Sequence, residues 1–145
     1  MIDPIPQQKS PIRETDDDAR ALGKSLLANA RFAALATIEP ETGDPLASRI
    51  AFGLDPGAQP VSLMSTLAFH TKALLAQPRC SLLVGEPGKG DPLAHPRISL
   101  QSIALPIDRT STDHASIRAH YLKQHPKAAL YVDFGDFLFV RFKIR

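Results

Sequence analysis

Residues 61–78 read VSLMSTLAFHTKALLAQP. Val61, Leu63 and Met64 carry the apolar load of a strand, Ser65 and Thr66 make a hydroxyl-bearing turn, and residues 70–77 read as a short helix that Pro78 stops. The first N–H groups of a helix have no partner within it, the helix dipole favours an anion there, and Lys72 adds a full positive charge. The stretch is therefore suited to hold a phosphate. Hydroxyl-bearing turns between strand and helix are also common where nothing binds, and read alone the stretch leaves both readings open. His70, at the helix entrance, is suited to cap the helix or to touch an anion.

Working outward, residues 79–85, RCSLLVG, read as a strand whose near-continuous apolar centre predicts burial on both faces. The loop EPGKGDPLAHP, residues 86–96, is rich in Gly and Pro but has neither a Walker A pattern nor a GxGxxG after a strand. Residues 97–107, RISLQSIALPI, form the longest strand. Its apolar parity shifts from Ile98 and Leu100 to Ile103, Leu105 and Ile107, which predicts a β-bulge or a bend. A helix follows over residues 113–125, stopped by Pro126, and residues 136–145, DFLFVRFKIR, read as the last strand.

Upstream, RFAALATI (31–38) and PLASRIAFGL (45–54) flank a Pro- and Gly-containing turn and read as an antiparallel hairpin. On its second strand Arg49 shares a face with Ala47 and Ala51, so its guanidinium stands above small neighbours that leave room for a ligand. Thr15 and Asp18 have capping-box spacing and open a helix carrying Leu22 and Leu26 on one face. Residues 1–13, with three prolines and little apolar mass, read as a flexible N-terminal arm ahead of a single domain over 14–145.

At 145 residues and 43% hydrophobic content, the chain fits one domain with one core. No apolar run approaches the roughly 20 residues of a membrane span, and the polar N-terminus lacks a secretory h-region, so a cytoplasmic protein is expected. The single Cys80 excludes an intrachain disulfide and a Cys-based zinc site. A formal charge of +2 spread without a Lys/Arg block argues against nucleic acid and fits a small anionic ligand. No metal-binding pattern is found. The sum is a mainly β fold: about six antiparallel strands in a β-barrel with three short helices.

Four pieces, LASRIAFGLD (46–55), LMSTLAFHTKAL (63–74), GDPLAHPRISLQ (90–101) and HPKAALYVDFGDFLFVRF (125–142), give the chain a family resemblance. It resembles the pyridoxamine 5′-phosphate oxidase-like, FMN-binding split-barrel proteins, and among them the haem-utilisation branch. The resemblance implies a homodimer with FMN held at the subunit interface and an oxidoreductase acting on a small molecule, with haem among the candidates. It places the cofactor site on Arg49, Ile50, Ser65, Thr66, Thr71, Lys72 and Arg97, with Arg49 and Lys72 on the phosphate and Arg97 near the ring. No catalytic acid or base stands out. The other functions in view are a haem-binding or haem-degrading protein and a non-catalytic flavin-binding protein.

Overall fold

The computed structural model describes residues 14–145 together with Ile2 and Pro4. Apart from those two positions, the arm read over residues 1–13 lies outside the described residues. Seven strands form one antiparallel sheet: β1 (Phe32–Ile38), β2 (Pro45–Ala51), β3 (Gly53–Leu54), β4 (Pro60–Ser65), β5 (Arg79–Val84), β6 (Ile98–Pro106) and β7 (Phe137–Ile144). Three α-helices accompany them: α1 (Asp17–Asn29), α2 (Phe69–Ala76) and α3 (Thr112–Gln124). The strand order is β2-β1-β5-β6-β7-β4-β3. The expected mainly β barrel is the fold found. It has one strand more than expected because residues 45–54 break at Phe52, leaving the two-residue β3.

The sheet curls around one core, in which Leu35, Phe52, Leu82, Val84 and Phe142 are fully buried. A second core forms where α3 covers the outside of β4 and β7, joining Ile117 and Tyr121 to Val61, Leu63 and Phe139. Tyr121 meets Phe139 edge-on at 5.2 Å and stacks on His125 at 4.5 Å. The C-terminal end of α3 also fastens the break after β2. Gln124 donates to the carbonyl of Leu54 and accepts from its N–H, at 2.9 and 3.0 Å, and the ring of His125 bonds the carbonyl of Phe52 at 2.7 Å. These contacts satisfy backbone groups that a strand end would otherwise leave unpaired.

Three expectations need correction. The β6 register runs without a break against both β5 and β7, so of the bulge or bend expected there the bulge is absent. The small residues Ser102 and Ala104 take the inward positions after Leu100, which turns Leu105 outward. On β5, Leu83 is 44% exposed, so that strand is buried on one face only. The first helix is capped one residue later than expected, where the Asp16 carboxylate accepts from the Ala19 N–H at 2.8 Å. Among the described residues, no helix is long and apolar enough to cross a membrane.

The turn between β5 and the loop to β6 is closed by Gly85, at φ +125°. A Cβ there would sit 2.6 Å from the Pro96 carbonyl oxygen and 2.8 Å from Arg97 Cα. Gly85→Ala is therefore expected to destabilise the fold by roughly 1–3 kcal/mol or more, read as a lower midpoint in urea at unchanged slope.

Candidate functional site

The sheet does not close between its two ends. β2 is hydrogen-bonded to β1 alone, and β4 pairs with β7 along its length but with β3 only at Pro60 and Val61. Along this seam lies a cavity of about 220 Å³ lined by Arg49, Ile50 and Ala51 of β2, Leu63, Met64 and Ser65 of β4, Ala68, His70 of α2 and Phe137 of β7. The unpaired edges of β2 and β4 meet here, so main-chain donors and acceptors border an otherwise apolar cleft.

Arg49 is the charged group of the cavity. Its guanidinium carbon lies 5.4 Å from the centre of the Phe32 ring, a cation–π contact, and among the described residues it forms no ion pair. None of the seven strands contains an acidic residue, so its charge has no counterion in the sheet. The Ser65 hydroxyl donates to the Asp136 carboxylate at 2.7 Å and accepts from the Leu67 N–H at 3.1 Å. That pair of bonds fixes the turn into α2. The helix has Ala68 at its N-cap and no side-chain cap, so His70 does not cap it. His70 is half-buried at the cavity, and burial pulls its pKa below the usual histidine value.

One side of the cavity continues into an aromatic wall. Phe137 packs against Tyr131 at 4.9 Å and Phe134 at 6.4 Å, and Phe134 is 56% exposed. The guanidinium of Arg109 donates to the carbonyls of Phe134 and Phe137 and so pins this segment. The sequence reading passed over this wall, although the residues stand three apart at 131, 134 and 137, a spacing that puts them on one side of a turn-rich segment.

The expected site residues fall into groups. Arg49, Ile50 and Ser65 line the seam cavity together. Lys72 does not join them. It lines a separate cavity with Glu39, Glu41 and Phe69, its ammonium 5.9 Å from the Phe69 ring. Thr71 is fully buried with its hydroxyl unpartnered, and Thr66 donates its N–H to the Asp136 carbonyl at 2.7 Å without lining the cavity. Arg97 is exposed and reaches the carbonyls of Leu93 and His95 at 3.2 and 3.4 Å.

No family model matches the chain. It is 43% identical over 100 residues to the chloroplastic "Non-canonical heme oxygenase HOZ" of Arabidopsis thaliana, a match spanning 68% of this chain and 29% of that protein. A haem-binding protein from Mycobacterium smegmatis superposes with a TM-score of 0.76 at 31% identity, over 84% of this chain and 49% of its own. The chain belongs to the haem-utilisation branch of the pyridoxamine 5′-phosphate oxidase-like split-barrel family. It spans under a third of the plant relative and about half of the mycobacterial one. The haem storage protein HutZ of Vibrio cholerae shares the fold of this split barrel, with a TM-score of 0.77 at 20% identity over 86% of this chain and 89% of its own.

The expectation of FMN as cofactor does not stand. The relatives just described carry haem in their names, and none carries FMN. The geometry of this split barrel runs the same way. The two cations expected to grip one phosphate, Arg49 and Lys72, open onto different cavities, and Lys72 shares its cavity with two glutamates.

Proposed function

We propose that this split-barrel protein is a homodimer that binds haem along its seam and degrades it oxidatively. The observation that carries the reading is the seam cavity itself: an uncompensated arginine at the mouth of an apolar cleft with an aromatic wall beside it. Haem has the matching chemistry, a flat apolar ring with two carboxylates on one edge. The similarity to a haem oxygenase from Arabidopsis thaliana supports the same substrate and reaction class.

The chain's residues would act by binding and positioning. Arg49 would take a propionate through charge-assisted hydrogen bonds, and Ile50, Leu63, Met64 and Phe137 would shield a ring face from water. Opening the ring consumes dioxygen and electrons from an external donor.

Two features support the homodimer. At about 220 Å³ the cavity falls below the roughly 300–1,000 Å³ of ordinary small-molecule sites, so one copy cannot enclose a tetrapyrrole. The outer face of β1 and its neighbours also exposes Phe32, Ile38, Leu83 and Leu105 around Ala34, Ala36 and Ala47, an apolar sheet surface suited to a second copy.

Titration with haemin, followed by the Soret band, tests the reading. Wild type should saturate. Arg49→Glu should bind about 10–100-fold more weakly, since a charge-assisted bond contributes roughly 1.5–3 kcal/mol. Absence of any spectral change in wild type would remove haem as ligand. A Soret band that persists under air and a reductant would replace degradation with carriage.

A further inference from the structure

Of the three α-helices, α1 alone buries no side chain, whereas α2 buries Thr71, Ala73 and Leu74 and α3 buries Ile117 and Tyr121. We propose that α1 is a hinged lid on one end of the barrel, which opens as a unit about Ala30 while the seven-stranded sheet stays folded.

Little holds the lid down. Leu27 and Ala30 lie half-buried against the inner core, a Cβ at Gly23 would stand 3.6 Å from Ile98 Cδ1, and Leu22 is 48% exposed. Among the described residues, every side-chain hydrogen bond of α1 closes on the helix or its cap. Asp16 accepts from the Ala19 N–H at 2.8 Å, Arg20 donates to Asp17 at 3.1 Å, and Asn29 donates to Ser25 at 3.2 Å. None of these ties the helix to the sheet. A cavity of about 260 Å³ lies between Ser25, Leu26 and Asn29 on one side and Gly85 and Glu86 on the other, so the last turn lacks a packed floor. That turn carries no basic residue to meet the helix dipole. An element held by so few buried apolar contacts opens locally, far more readily than the whole fold unfolds.

The backbone sets the hinge. Ala30 ends the helix in an extended conformation. One residue on, the Arg31 carbonyl accepts from the Phe52 N–H at 2.9 Å and anchors the chain to the sheet. The next residue, Phe32, carries the Arg49 guanidinium against its ring, so this anchor keeps the seam in place while the lid opens. Once detached, a helix of 13 residues is marginal in water and unravels, which frees its amides to exchange and lays Lys24 open to proteolysis.

Native-state hydrogen exchange of the full chain across low urea concentrations tests the lid. The amides of residues 21–29 should share one protection factor, about 100-fold or more below that of β5 and β6, and fall together along a shallow urea slope. The Phe52 N–H should keep the protection of the sheet. Gly23→Ala adds helix propensity and meets Ile98 at ordinary contact distance, so it should slow exchange across 21–29, and tryptic cleavage after Lys24, by about fivefold. Protection graded from the helix ends and insensitive to urea means fraying and overturns the unit opening. Protection equal to that of the sheet means that α1 opens only with the whole molecule, and overturns it too. A Phe52 N–H that exchanges with α1 overturns the hinge at Ala30, and cleavage after Lys24 unchanged by Gly23→Ala overturns the opening as its route.

Discussion

Ala36→Arg is expected to yield a folded monomer that has lost most of its haemin affinity. Ala36 lies at the middle of the outer face of β1, opposite Ala47 of β2 and Ser81 of β5. An arginine there is tolerated in an isolated chain, because the position is open to water. In a dimer formed through this face it would be covered with no carboxylate to meet it, since the strands carry none, and Arg79 stands close by. An unpaired charge at an interface costs several kcal/mol, which raises the dimer dissociation constant about 1,000-fold. Sedimentation at a fixed concentration would read the change of mass, and haemin titration of the same sample the loss of the second wall. A variant that stays dimeric would place the contact on another face.

The second large effect concerns stability. Arg141, on β7, donates to Asp55 at 2.9 Å and to Asp113 at 3.2 Å. The Asp55 side chain is 5% exposed and the Arg141 side chain 20%. Asp55 also accepts from the Gln59 N–H at 2.9 Å and so closes the turn between β3 and β4. Arg141→Met leaves that carboxylate buried with only a backbone donor, and a loss of about 3–5 kcal/mol is expected. Asp55→Asn combined with Arg141→Met should recover a good part of the loss, because the buried charge is gone. Urea unfolding of wild type, both single variants and the double variant measures the coupling. Additive single and double effects would mean that the two groups do not act as a pair.

Much of the fold was legible because alternation along strands and proline stops are local signals. The hairpin of residues 31–54, the strand of 61–65, the helix stopped near Pro78 and the last strand all appear close to their expected places. The failures have a common cause. Apolar alternation along β6 points Ile103 and Leu105 inward, but Ser102 and Ala104 face inward because the interior there is filled by larger neighbours such as Phe142, opposite Ala104. Leu83 reads as buried in the sequence and is exposed in one chain, and the proposed dimer contact would cover it.

The site was legible in part. Arg49 stands out by strand phase, Ser65 by its place in the hydroxyl-bearing turn and Ile50 only through the family resemblance, and the three line one cavity. Lys72 was expected beside them because it follows the same turn. Spacing, however, does not fix how a helix is rotated about its axis. Thr71, Ala73 and Leu74 pack inward, which leaves Lys72 lining the cavity that Glu39 and Glu41 also line. Local pattern marks His70 at a helix entrance and the aromatics three apart at 131, 134 and 137, but that they border one seam depends on strands far apart in sequence, which no local pattern records.

The position of β7 in the sheet also bears on how the protein is made. The strand that comes last in sequence sits between β6 and β4, with the chain's other strands split to either side of it. Until it leaves the ribosome, two half-sheets wait with open inner edges, each able to add a strand from a neighbouring nascent chain. Productive assembly therefore turns on how quickly this final ribbon slots into the gap, and crowding on a polysome is where the molecule is most exposed to error.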